Sequence, residues 1–134
     1  MVLGDADLTT EDLQLRNTVR EFAARELARV AVDQDRAGRV LLESLEGLAA
    51  LGLYGLAVQG TYGGSSATRV QISLVIEEIA RVCASTALTL MAHIHSSGLI
   101  AQHGDERQKQ AWLPVVAFVG SDCRQRCGSA GAFR

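Results

Sequence analysis

The sequence predicts an all-α fold, an up-and-down bundle of about five helices, and three observations carry that prediction. Apolar residues recur at three- and four-residue steps through most of the chain, the spacing of one face of an α-helix. Capping and stop residues sit at the ends of these periodic runs. A chain of 134 residues, 48% hydrophobic and 21% charged, is long enough for one continuous core and too short for a second full domain.

The first helix starts at Leu8-Thr9-Thr10-Glu11-Asp12-Leu13, where Thr9 is an N-cap, Asp12 stands three residues on, and Leu8 is placed to staple against Leu13. Leu15, Val19, Phe22, Ala23, Leu27 and Val30 then share one face, while Arg16, Arg20, Glu21 and Arg25 stay wet. The polar run Asp33-Gln34-Asp35-Arg36-Ala37-Gly38-Arg39 breaks the pattern. Leu41, Leu42, Leu45, Leu48 and Ala49 restart it as a short second helix that Gly52 stops. Leu53 to Val58 is apolar, and Gln59-Gly60-Thr61-Tyr62-Gly63-Gly64-Ser65-Ser66 supplies the turn chemistry of a surface loop. Val70, Ile72, Val75, Ile76, Ile79 and Val82 support a third helix. Ser85 or Thr86 caps a fourth carrying Leu88, Leu90, Met91, Ile94, Leu99 and Ile100, apolar nearly all round and therefore expected to be the most buried. Asp105, with Gln108 three residues later, starts a fifth that runs through Trp112 to Pro114. There is no internal repeat.

Charge and cysteine usage narrow the function classes. A net charge of -2 and a pI near 5.9 argue against a nucleic-acid or anionic-membrane surface, which needs clustered Lys and Arg. Asp5 and Asp7 interrupt the amino terminus before any apolar run, so no secretory signal is expected there, and no apolar run reaches membrane-spanning length. Cys83, Cys123 and Cys127 are an odd set without framework spacing, which suits a reducing compartment, the cytoplasm or an organelle matrix.

Few residues carry the marks of catalysis. Glu77 and Glu78 are adjacent on a helix, so they diverge by about 100° and cannot converge on one substrate atom; a structural or salt-bridging role is expected. His93 and His95, an i,i+2 pair, point to opposite sides, unlike the i,i+4 ligands of helical zinc sites, so one should face the interior and the other the surface, with no metal between them. Cys123 and Cys127 lack partner ligands, and Ser65-Ser66 and Ser96-Ser97 form no recognisable nucleophile arrangement. Gly63-Gly64 lacks the Lys and strand context of a phosphate loop and is expected to make a tight turn.

The order of three pieces is more specific than any one of them. Tyr62-Gly63-Gly64 is followed by Glu77-Glu78-Ile79-Ala80-Arg81-Val82-Cys83-Ala84-Ser85-Thr86-Ala87-Leu88-Thr89-Leu90, and then by Gln108-Lys109-Gln110-Ala111-Trp112-Leu113-Pro114. In that order they resemble the amino-terminal helical domain of acyl-CoA dehydrogenases, over roughly Leu8 to Pro114. The resemblance implies a domain spanning residues 1–116, acyl-CoA as substrate of the intact enzyme, FAD as its cofactor, and a homo-oligomeric assembly. It also implies that the fourth helix lines the fatty-acyl pocket, with Ala87, Leu88 and Met91 facing the acyl chain and His95 further along it. Where relatives commonly have Pro and an acidic residue before the Tyr-Gly-Gly turn, this chain has Gln59-Gly60.

The segment 117–134 departs from that pattern: it is rich in Gly and Ser, has no periodicity, and is expected to be a disordered, non-family tail. Its Arg, Cys, Gly and Ser content is what a shifted reading frame of GC-rich DNA often encodes, so a frameshift or alternative splice is expected, with a native disordered tail as the alternative. The family's flavin-binding β domain and its carboxy-terminal helical domain, which carries the catalytic glutamate, have no counterpart in these residues. The expectation for function is thus the amino-terminal part of a flavin-dependent acyl-CoA dehydrogenase, inactive and only weakly flavin-binding alone, with apolar surface left bare and prone to self-association. The alternative is a non-catalytic helical module that docks on a flavoprotein subunit. A helix-turn-helix regulator is disfavoured by the acidic balance.

Overall fold

The computed structural model describes residues 7–118, and among them every regular element is helical. α1 (Thr10–Phe22), a π turn (Ala23–Leu27) and α2 (Ala28–Ala37) follow one another without a break. α3 is Leu42–Ala50, α4 is Arg69–Ala80, α5 is Ala84–His103 and α6 is Glu106–Ala117, with short 3₁₀ turns at Leu53–Gly55 and Gly60–Tyr62. With α1, the π turn and α2 counted as one rod, these are the five helices that the periodicity predicts. The residues group into two compact units, one of 7–44 and 67–91, the other of 45–66 and 92–118.

In the first unit, Thr9 caps α1 as its sequence predicts. Its hydroxyl accepts from Asp12 N–H at 3.2 Å, and its own N–H donates to the Asp12 carboxylate at 3.1 Å. These bonds hold the Asp12 carboxyl below its usual range. Val19, Ala23 and Leu27 are spaced by four, and on an α-helix each such step drifts about 40° around the axis. The wider π turn takes up that drift, which keeps Ala23 and Leu27, both 0% exposed, on the buried face where the rod meets α4.

The rod runs past the polar break expected at Asp33 and ends only at Gly38, whose φ of 63° makes it a left-handed C-cap. The periodicity missed this last turn because its buried residue is polar: Gln34 is 2% exposed and fully bonded. Thr68 starts α4 with a second capping box, closed by Gln71. On α4 the inward residues are Leu74, Val75, Glu78 and Ile79, whereas Val70, expected inside, is 36% exposed.

In the second unit, Val58, Leu113 and Ala117 form a buried cluster, flanked by Tyr62, Ile100, Ala101 and Val116. Asp105 and Gln108 close the predicted capping box of α6. The helix does not end at Pro114 but continues to Ala117, so the sequence boundary between 116 and 117 falls within it. Pro114 cannot donate to the carbonyl of Gln110; Gln110 lies on the exposed side, where water can reach its backbone. The expected disordered tail, with Cys123 and Cys127, lies outside the described residues beyond Phe118.

Two expectations about α5 need correcting. α5 is not buried all round: Leu88 is 62% exposed and Leu99 60%, and Thr89, Ala92, His95 and Ser96 are exposed beside them. Apolar composition told how much of the helix is greasy, not how much of it these residues cover. Nor does Ser85 or Thr86 cap α5, which begins at Ala84; Thr86 is 0% exposed and turns its hydroxyl to the Cys83 sulfur.

Candidate functional site

α5 separates the four residues that the sequence places on an acyl pocket. Leu88 and His95 are seven residues apart, two turns on one helix, and both are exposed. Met91 is half-buried, and Ala87, 3% exposed, belongs to the core. Leu88, His95 and Leu99 thus mark the open side of the helix, while Ala87, Leu90, Ile94 and Ser97 mark the closed side. The open side can offer apolar contact and one imidazole.

His93, two residues from His95, turns inward as the i,i+2 geometry requires. Its Nε2 lies 3.0 Å from the Val116 carbonyl oxygen, and its ring meets Tyr54 edge to face at 4.7 Å between centroids. Burial lowers its pKa, opposed by hydrogen bonds to the backbone at Val116 and Tyr54. The neutral ring with its proton on Nε2 donates to Val116, one of the carbonyls that the end of α6 leaves without an intrahelical donor. His93 is therefore a structural cap. Among the described residues no group of histidine, cysteine and acidic side chains is arranged to hold a metal ion.

The paired glutamates have separate structural roles. Glu78, 3% exposed, takes a two-pronged bond from Arg20, with Nε at 3.0 Å from one carboxylate oxygen and a terminal nitrogen at 2.7 Å from the other. Arg20, placed on the wet side by the sequence, reaches back from α1 to do so. Its hydrogen bonds hold Glu78 below its ordinary value near 4.5 despite burial, with help from Arg81 and Arg16. Glu77 pairs with Arg81 across one helical turn at 2.7 Å.

A buried polar knot that the sequence did not reveal ties α2 to the start of α5. Gln34 Nε2 donates towards the Cys83 sulfur and Thr86 Oγ1 at 3.4 and 3.3 Å, and Gln34 Oε1 accepts from Leu41 N–H at 2.8 Å. A polar residue at an inward position of α2 and a Thr on the apolar side of α5 were the available signals.

The Tyr62-Gly63-Gly64 motif makes a tight turn rather than an anion cradle. Gly63 has a φ of 87°, and a Cβ on Gly64 would overlap the Val58 carbonyl. Tyr62 donates its hydroxyl to Glu106 at 2.6 Å, which raises the Tyr62 pKa. The departure at Gln59-Gly60 leaves the loop unharmed. Gln59 has a φ of -66°, close to what proline imposes, and Gly60 has open space around its missing side chain.

The sequence is similar to known proteins. The family model of the acyl-CoA dehydrogenase N-terminal domain matches residues 9–118. The chain is 33% identical over 114 residues to a short-chain specific acyl-CoA dehydrogenase of Clostridium acetobutylicum, covering 84% of this chain and 30% of that protein. It is 33% identical over 124 residues to the mitochondrial short/branched chain specific acyl-CoA dehydrogenase of Rattus norvegicus, covering 90% of this chain and 29% of that protein. It is 38% identical over 115 residues to a probable acyl-CoA dehydrogenase of Mycobacterium leprae, covering 85% of this chain and 29% of that protein. The chain spans about 30% of the length of the first of these relatives. With its helical order, its glycine turn and its α4–α5 segment all falling inside the matched region, the chain belongs to the acyl-CoA dehydrogenase family.

Proposed function

We propose that these residues are the N-terminal helical part of a flavin-dependent acyl-CoA dehydrogenase, and that a polypeptide of residues 1–134 alone is catalytically silent. The observation that carries this reading is the match of residues 9–118 to that family's N-terminal domain, in a chain spanning about 30% of its first relative. In the longer enzyme the reaction is α,β-dehydrogenation of an acyl-CoA thioester. The residues proposed for the wall of the acyl pocket are Leu88 and Met91, with His95 further along and Ala87 behind them. The exposure of Leu88 supports this, since an apolar side chain left open to water is available to an acyl chain.

FAD, implied by the family, does not fit the described residues taken alone. Asp12, Gln34, Glu78, Thr86 and Ser97 are buried and bonded to other protein groups, and the buried Ser44 hydroxyl, which has no partner among the described residues, is one small group and too little to hold a dinucleotide. The cleft lined by Leu99, Ile100, His103, Gly104, Gln108 and Trp112 is largely apolar. Tight flavin binding is therefore assigned to parts of a longer polypeptide.

No helix among the described residues is long and apolar enough to cross a membrane. The proposed compartment is the cytoplasm or an organelle matrix. Leu88, Leu99, Trp112, Val115 and Phe118 are all exposed, which supports self-association of the isolated polypeptide. The same exposed side chains favour a second reading, a helical module that docks on a flavoprotein subunit. The test is to purify the 134-residue polypeptide and record its visible spectrum, its acyl-CoA-dependent dye reduction and its co-purifying proteins. A colourless, inactive protein supports the proposal, and a co-purified flavoprotein subunit selects the docking reading. A yellow protein that reduces the dye with acyl-CoA would overturn both.

A further inference from the structure

We propose that the Tyr62-Gly63-Gly64 turn, Gly55 and His93 together form a seat for the last turn of α6, Val116 to Phe118, and that this seat keeps the end of the helix from fraying. Three independent contacts, all inside the second unit, converge on three consecutive residues. The His93 ring nitrogen caps the Val116 carbonyl at 3.0 Å. A Cβ on Gly55 would lie 3.5 Å from the Ala117 carbonyl oxygen, 3.6 Å from the Ala117 Cβ and 3.3 Å from the Gly64 Cα, so the backbones of 55, 64 and 117 meet where two of the three residues are glycine. A Cβ on Gly63 would overlap Cε2 of Phe118, so the Phe118 ring lies directly on the bare backbone of that turn.

The turn is itself held from behind. Ser65 N–H bonds the Gly55 carbonyl at 3.1 Å and Ser66 N–H bonds the Val58 carbonyl at 2.9 Å, which clamps 63–66 against 55–58. Tyr62 reaches the far end of α6 through its 2.6 Å bond to Glu106. The loop thus grips α6 at both ends, by a side chain at Glu106 and by bare backbone at Phe118. Helix ends normally fray because their last carbonyls lack donors. Here the last turn is capped at Val116 and abutted at Ala117, and Phe118 keeps its own N–H bond to the Pro114 carbonyl at 3.3 Å. The pair of glycines has a reason in this arrangement: Gly63 supplies the left-handed turn and the flat surface, and Gly64 lets the returning backbone approach Val58. The seat is independent of the reaction proposed above, because it concerns how α6 ends and not what the protein binds.

The test uses the full chain and three single variants, Gly63→Ala, Phe118→Leu and Gly38→Ala. Gly38 also has a positive φ, 63°, but open space around it, so Gly38→Ala carries backbone strain without touching the seat. In the parent protein the ring current of Phe118 should displace the Gly63 Hα resonances, and Phe118→Leu should abolish that displacement. Gly63→Ala should speed amide exchange at Phe118 at least about tenfold while Leu113, mid-helix and 0% exposed, keeps its rate. Gly38→Ala should leave the Phe118 amide unchanged relative to Leu113. The proposal is overturned if Phe118→Leu leaves the Gly63 resonances in place, or if Gly63→Ala speeds Leu113 and Phe118 equally. Should Gly63→Ala not fold, Phe118→Leu at the exposed ring still decides, since its effect on Gly63 is read directly.

Discussion

Replacing Arg20 with Met tests the main electrostatic link of the first unit, and its size can be worked from the geometry. Arg20 binds both oxygens of a carboxylate that is 3% exposed, at 3.0 and 2.7 Å. Removing one partner of a buried pair costs about 3–5 kcal/mol, because the other charge is left without its counter-ion. The Arg20 side chain is itself 48% exposed, so solvent already screens part of the interaction. Arg81 and Arg16 also remain to favour the charged Glu78. These two discounts bring the expected loss for Arg20→Met to about 2–3 kcal/mol at pH 7. Urea unfolding followed by circular dichroism would then show a midpoint lowered by about 1 M. The carboxyl of Glu78 titrates lower in the folded than in the unfolded chain, so the stability it adds is present above about 4.5 and lost as pH falls through the folded value. The gap between variant and parent should accordingly narrow on acidification. A variant within about 0.5 kcal/mol of the parent at pH 7 would refute the reasoning.

Three further outcomes follow from the same structure. Gln34→Leu strips the Leu41 N–H of its acceptor and should cost about 1–3 kcal/mol in the same urea assay, whereas an unchanged midpoint would show that the knot contributes nothing. His93 is held below its ordinary value near 6.5, so the unfolded chain takes up that proton first. Its share of stability is complete above that pH, falls as pH drops through it, and levels off below the folded value. Thermal melts from pH 8 to 5 should show this step in the parent and not in His93→Leu. On α5, Leu90→Ala at a 0% exposed position should cost about 2–5 kcal/mol, while Leu88→Ser at a 62% exposed one should change stability by less than about 0.5 kcal/mol. Equal losses would mean that the open and closed sides of the helix have been misassigned.

What the sequence revealed and what it hid have physical causes. Capping boxes at Thr9 and Asp105 are local, so reading three residues ahead was enough to find them. The five helical segments followed from apolar spacing for the same reason. The last turn of the rod was hidden because its inward residue is Gln34, and periodicity counts only apolar side chains. The end of α6 was hidden because Pro114 looked like a stop, whereas His93, 23 residues away in sequence, caps the turn beyond it. Arg20 read as a wet residue because its partner Glu78 is 58 positions distant. The family was legible in ordered motifs, but the pocket was not: Ala87, Leu88, Met91 and His95 appear in the structure as one core residue, one half-buried residue and two exposed ones. Whether an exposed leucine is a pocket wall depends on what covers it, and nothing among residues 7–118 does.

The tail bears most directly on the account as a whole. If these residues belong to a longer flavoprotein, the encoding DNA holds the rest. The measurement is to sequence the transcript beyond the codon for Pro114 and read all three frames. An open frame with strand-like segments followed by a second helical domain carrying a glutamate is the predicted result. Stops in every frame, with no such continuation, would contradict the claim and leave a stand-alone helical module.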